Sequence, residues 1–78
     1  MIPVYGFLEG DTVGVLILTH QDERVEELAK KLQQAARIRV AARDDVTISH
    51  NGRQLSPTST VYQAGIQALD RFDVRANS

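Results

Sequence analysis

The side chains in this 78-residue sequence whose types could do chemistry are two histidines, three serines near its later strands, an acidic glycine turn and three arginines. A histidine works as a base or metal ligand only with a carboxylate or a second ligand at a productive spacing. His20 and His50 fall on different elements with no such carboxylate beside them, and both are read as surface or turn residues. Ser49, Ser56 and Ser59 lack the glycines that build a nucleophile elbow. The Glu9-Gly10-Asp11-Thr12 stretch is too short and too acidic to cradle a phosphate, and reads as a hairpin turn. A diiron centre needs carboxylates and histidines as Glu-x-x-His pairs on facing helices, whereas the one helical segment here holds no histidine. With no cysteine there is neither disulfide nor thiolate metal site, so no catalytic, cofactor-binding or metal residue is expected.

Arg37, Arg39 and Arg43 form the one basic cluster. They could grip an RNA backbone, dock on an acidic protein, or simply answer a helix carboxyl end and Asp44 and Asp45. Nine basic against ten acidic side chains and no aromatic among these arginines argue against nucleic acid. No stretch approaches the ~20 apolar residues of a membrane span, and the amino end lacks a basic region followed by a long apolar run. A cytoplasmic protein without membrane contact is the expectation.

The elements that must position these side chains follow from periodicity. Residues 2–8 and 13–18 are two apolar runs around Gly10, a β-hairpin pattern. From Asp22, the expected N-cap, Val25, Leu28, Ala29, Leu32 and Ala36 recur at helical spacing, with Glu26, Lys30, Gln33 and Gln34 among the polar positions. Val46 to His50 alternates as a one-sided strand, Asn51-Gly52 signals a type I′ turn, and Gln54-Leu55 begins a short return strand. Thr60 caps a helical turn closed by Gly65, and Phe72 to Arg75 alternates as a final strand. One amphipathic helix over one face of a mixed four- to five-stranded sheet buries these elements economically, giving an α+β fold.

The first hairpin breaks the one-sided rule. Val13, Val15 and Ile17 alternate with Leu16 and Leu18, so both faces of that strand are apolar. If Val13, Val15 and Ile17 pack on the helix, Leu16 and Leu18 look outward beside Val4 and Leu8. Such a patch is buried by a partner or covered by the long segment of residues 56–69. Val4, Leu8, Leu16 and Leu18, with Arg37, Arg39 and Arg43, are therefore the candidate partner-binding residues.

The element order resembles the ubiquitin-like β-grasp fold, most closely through Gly52 to Leu55, Ser59 to Val61, Ile66-Gln67 and the Phe72/Val74 strand, with Val25, Leu28 and Leu32 in register on the helix. The sequence ends Arg75-Ala76-Asn77-Ser78 without the Gly-Gly of a modifier or sulfur carrier, so conjugation chemistry is not expected. A second resemblance runs from Ile2 to Val74. Ile2-Pro3-Val4, the acidic turn before an apolar second strand, Arg39-Val40-Ala41 with Arg43 and Val46, and the spacing of Ser56, Pro57, Thr60, Val61, Gly65 and Ile66 look like the small B (gamma) subunit of bacterial toluene/aromatic monooxygenases. With 78 residues leaving no room for two cores, the reading is a single ubiquitin-like domain over residues 1–75 with a polar tail at 76–78. The second resemblance implies no cofactor and a non-catalytic role, binding the large diiron hydroxylase subunit. The alternative is a free-standing ubiquitin-like interaction module, which could pair as a homodimer through the same hairpin.

Overall fold

The computed structural model describes residues 1–77. The elements are β1 (Ile2–Leu8), β2 (Val15–Thr19), α1 (Val25–Ala35), β3 (Val46–His50), β4 (Arg53–Gln54) and β5 (Arg71–Ala76). They form one five-stranded sheet in the order β2-β1-β5-β3-β4. The first and last strands lie side by side in parallel at its centre, and the other neighbours are antiparallel. The expected α+β arrangement, one helix against one face of a mixed sheet, is what forms.

Strand periodicity fixes which side chains meet the helix. Val4, Gly6 and Leu8 of β1, Ile17 of β2, Ile48 of β3, and Phe72 and Val74 of β5 are buried, and Val25, Leu28, Ala29 and Leu32 descend on them from α1. Gly6 is required at the centre. A Cβ there would lie 2.7 Å from the Phe72 ring tip and 3.0 Å from both Leu32 methyls, so only glycine lets that ring and the helix close onto β1.

The helix entry differs from expectation. Asp22 does not cap it; the N-cap position is Arg24 and makes no side-chain cap bond. The first free N–H groups donate instead to main-chain carbonyls of the loop after β4, Val25 to Ser59 at 2.8 Å and Glu26 to Pro57 at 3.0 Å. That loop is itself pinned by a reciprocal pair: Thr60 N–H donates to Gln63 Oε1 at 2.9 Å, and Gln63 N–H donates to Thr60 Oγ1 at 3.1 Å. The Asn51-Gly52 turn has positive φ at both residues, 53° and 77°, as a type I′ turn requires.

β5 runs to Ala76, one residue beyond the expected domain limit at 75. Asn77 then donates its main-chain N–H to the Asp45 carbonyl at 3.1 Å and its side-chain amide to Asp45 Oδ1 at 2.7 Å. The described part of the expected tail is thus held against the start of β3.

Candidate interaction surface

The sheet face turned away from the helix divides in two. On the β2-β1 half, cross-strand pairs Pro3↔Leu18 and Tyr5↔Leu16 point outward. Leu16 and Leu18 are each 53% exposed and Tyr5 40%. On the β5-β3 half the outward row is Arg71, Asp73 and Arg75 beside Thr47 and Ser49. Residues 56–69 do not cover the leucines, so that alternative is removed.

Two of the predicted contact residues are displaced to the opposite face. Val4 is fully buried and Leu8 is 6% exposed; both pack in the core and neither can meet a partner. The register explains the correction, because Val4 pairs with Ile17 and therefore shares its inward face. The residues beside Leu16 and Leu18 are instead Pro3, Tyr5 and Phe7, the other parity of the same strand. Val13, expected on the helix, lies before β2 and is exposed.

Phe7 is half-buried on this outer face, and its ring is fixed on two sides. A Cβ on Gly14 would come within 2.6 Å of the Phe7 ring tip, so the hairpin main chain rests directly on it. The Arg71 guanidinium carbon lies 4.0 Å from the ring centroid. Arg71 Nη2 also donates to Asp73 Oδ1 at 2.9 Å, and this bond raises the guanidinium above its ordinary pKa. A Tyr, a Phe and two Leu bordered by an internally neutralised arginine have the composition of an interface core with a polar rim.

The arginine connector is not one patch. Arg39 grips Asp11 in the β1–β2 turn through Nε at 2.9 Å and Nη2 at 3.0 Å. Its guanidinium leaves only 2% of the Asp11 side chain exposed and holds that carboxyl below the usual carboxylate range. Arg37 Nη1 donates to the Gln34 carbonyl at 2.8 Å, answering the helix end. Arg43 is exposed, and its main chain exchanges two bonds with Gln33: N–H to Oε1 at 2.6 Å, and Nε2–H to the Arg43 carbonyl at 3.0 Å. Gln33, read as a solvent-face residue, is buried by this clasp. All three arginines are exposed, but Arg39 is paired with Asp11 and Arg37 with a carbonyl of its own helix end, whereas Arg43 is anchored through its main chain.

His50 is not a surface residue either; it is 4% exposed, with Nε2 at 2.9 Å from Asp70 Oδ2. The carboxylate can only accept, so Nε2 carries the proton. The same oxygen accepts the Gln67 N–H at 2.9 Å. The Gln67 bond first and the His50 bond second hold the Asp70 carboxyl below its ordinary value. Twenty residues separate this pair, so spacing alone gave no sign of it. It ties β3 to the loop before β5. Among the described residues no group of three or more His, Asp or Glu side chains is placed to hold a metal ion, and no helix is long and apolar enough to cross a membrane.

A mixed sheet with one helix and this strand order is a ubiquitin-like β-grasp protein, and solved structures agree. The chain superposes on a ubiquitin from Caldiarchaeum subterraneum with a TM-score of 0.81 at 15% identity, covering 99% of this chain and 94% of that one. A de novo designed protein based on ubiquitin gives a TM-score of 0.83 at 18% identity, over 99% and 89% of the two chains. A chain of the toluene 4-monooxygenase HD complex with the inhibitor 4-bromobenzoate gives 0.87 at 19% identity, over 97% and 98%. A search of curated proteins finds no significant match. The family model for toluene-4-monooxygenase system protein B (TmoB) matches residues 1–75, and the chain belongs to that family.

Proposed function

We propose that this protein is a non-catalytic accessory subunit of a multicomponent diiron aromatic monooxygenase, and that it binds and stabilises the large hydroxylase subunit. Membership of the TmoB family supports the monooxygenase context. The observation that carries the binding role is the outward apolar half of the sheet, where Leu16 and Leu18 stand exposed beside Tyr5 and Phe7. Contiguous apolar surface of this kind on a small domain marks an interaction site. Burying the exposed half of each leucine contributes about 1 kcal/mol, before the costs of association. Arg37 and Arg43 are proposed as partner contacts apart from the apolar half, near the end of the helix; Arg39 is assigned to holding the first turn through Asp11.

Co-expression of this chain with a tagged large hydroxylase subunit tests the proposal. The wild-type chain is expected to co-purify. Leu16→Asp is expected to weaken binding at least about tenfold, by placing a charge in an apolar contact, while changing stability by less than about 1 kcal/mol. A wild-type chain that fails to co-purify overturns the proposal. An unfolded Leu16→Asp variant would assign Leu16 to folding instead of binding.

A further inference from the structure

The main chain of β2 forms an open edge of the sheet. Tyr5 of β1 and Glu9 just after it donate their N–H groups to the Asp70 and Val74 carbonyls, and the Pro3 carbonyl accepts from Leu69, so the main-chain groups of the odd residues of β1 face β5. The even residues therefore bond β2, where Ile2↔Thr19, Val4↔Ile17 and Gly6↔Val15 are the matching pairs. Leu16 and Leu18 are left with N–H and C=O groups directed off the open side of the sheet. The Leu18 carbonyl shows this directly by accepting from Lys31 Nζ at 2.9 Å. Among the described residues β2 has β1 as its one neighbour in the sheet, and no turn or loop bond occupies the Leu16 N–H, the Leu16 carbonyl or the Leu18 N–H.

Sheet edges are normally blunted by proline, a bulge or charge, because unpaired main-chain groups invite another strand. β2 reads Val-Leu-Ile-Leu-Thr and has none of these within it. Its protection is one lysine, held on the far side by Glu23 at 2.8 Å. The opposite edge, β4, is only two residues long.

We propose, resting on the accessory-subunit reading, that β2 receives an extended segment of the partner as a sixth strand. Alternate residues of that segment are apolar and lie beside Leu16 and Leu18, on the face that continues to Tyr5 and Phe7. A second copy of this chain is the competing occupant. Two such edges could pair about a two-fold axis through Ile17, setting Leu16 against Leu18 of the second copy. A contact of five residues a side falls well short of the roughly 20–30 residues a side of a stable interface. A partner strand backed by the rest of a large subunit can also cover Tyr5 and Phe7, and so reaches that size.

Amide hydrogen exchange on the wild-type chain, free and bound to the large hydroxylase subunit, tests this. The Leu16 and Leu18 amides are expected to slow at least about 100-fold in the complex. Leu16→Pro deletes an N–H that the fold does not use, and is expected to weaken binding at least about tenfold more than Leu16→Ala. A complex that forms while both amides exchange as in the free chain overturns strand addition and leaves face-to-face docking. Equal losses for the two variants do the same. Concentration-dependent protection without the hydroxylase subunit identifies a second copy as the occupant and overturns the proposal. No complex at all overturns the accessory-subunit reading itself.

Discussion

Asp70 shows how a single carboxylate can organise a small fold. It accepts from a buried histidine and from the Gln67 main chain with one oxygen, while its own carbonyl accepts from Tyr5. Because its pKa is lower folded than unfolded, its contribution is complete above the ordinary carboxylate range and is lost as pH falls through the folded value. Asp70→Asn is expected to lower stability by about 1 kcal/mol at neutral pH. The gap between variant and wild type is expected to narrow on titration toward pH ~3. Denaturant unfolding at several pH values checks this, and a gap independent of pH would show that the carboxylate charge is not what matters. The sequence hinted at half of this site. Val46, Ile48 and His50 share one parity, a cue to an inward histidine that reading His50 as a surface residue passed over; its partner lies far along the chain and becomes visible only once β3 and β5 are paired. Arg39 and Asp11 were hidden for the same reason.

The first strand shows why an element can be legible while its orientation is not. The helix was readable from its spacing, and the tight turn from Asn51-Gly52, because those signals are local. β1 has apolar side chains on both parities, Val4 and Leu8 against Tyr5 and Phe7, so period-2 alternation carries no information about which set is buried. Gly6 held the missing clue. It sits on the inward parity, opposite Phe72 in the parallel register, and the large ring fills the space its absent side chain leaves. Gly6→Ala is therefore expected to destabilise the fold by about 1–3 kcal/mol, since neither the fully buried Phe72 nor Leu32 can move aside. Thermal unfolding reads the effect. A neutral result would mean that α1 can lift from β1 without penalty.

At the scale of the whole molecule, the charges balance and the exposed apolar half of the sheet stands apart from the charged half. Arg71 and Arg39, the arginines nearest to the apolar half and to its turn, are each paired with an aspartate. Binding to the hydroxylase subunit is accordingly expected to change less than about threefold between ~0.05 and ~0.5 M salt. A steep salt dependence, measured by titration calorimetry, would shift the interface toward Arg37 and Arg43. The pairing of β1 with β5 has a consequence for how the protein is made. On the ribosome the first strand emerges early and its central neighbour last, so Tyr5↔Arg71 through Leu8↔Val74 cannot form until nearly the whole domain has been translated. The apolar hairpin of β1 and β2 must wait in the open during that time, and a chain with this topology would gain from being synthesised close to the subunit proposed to cover it.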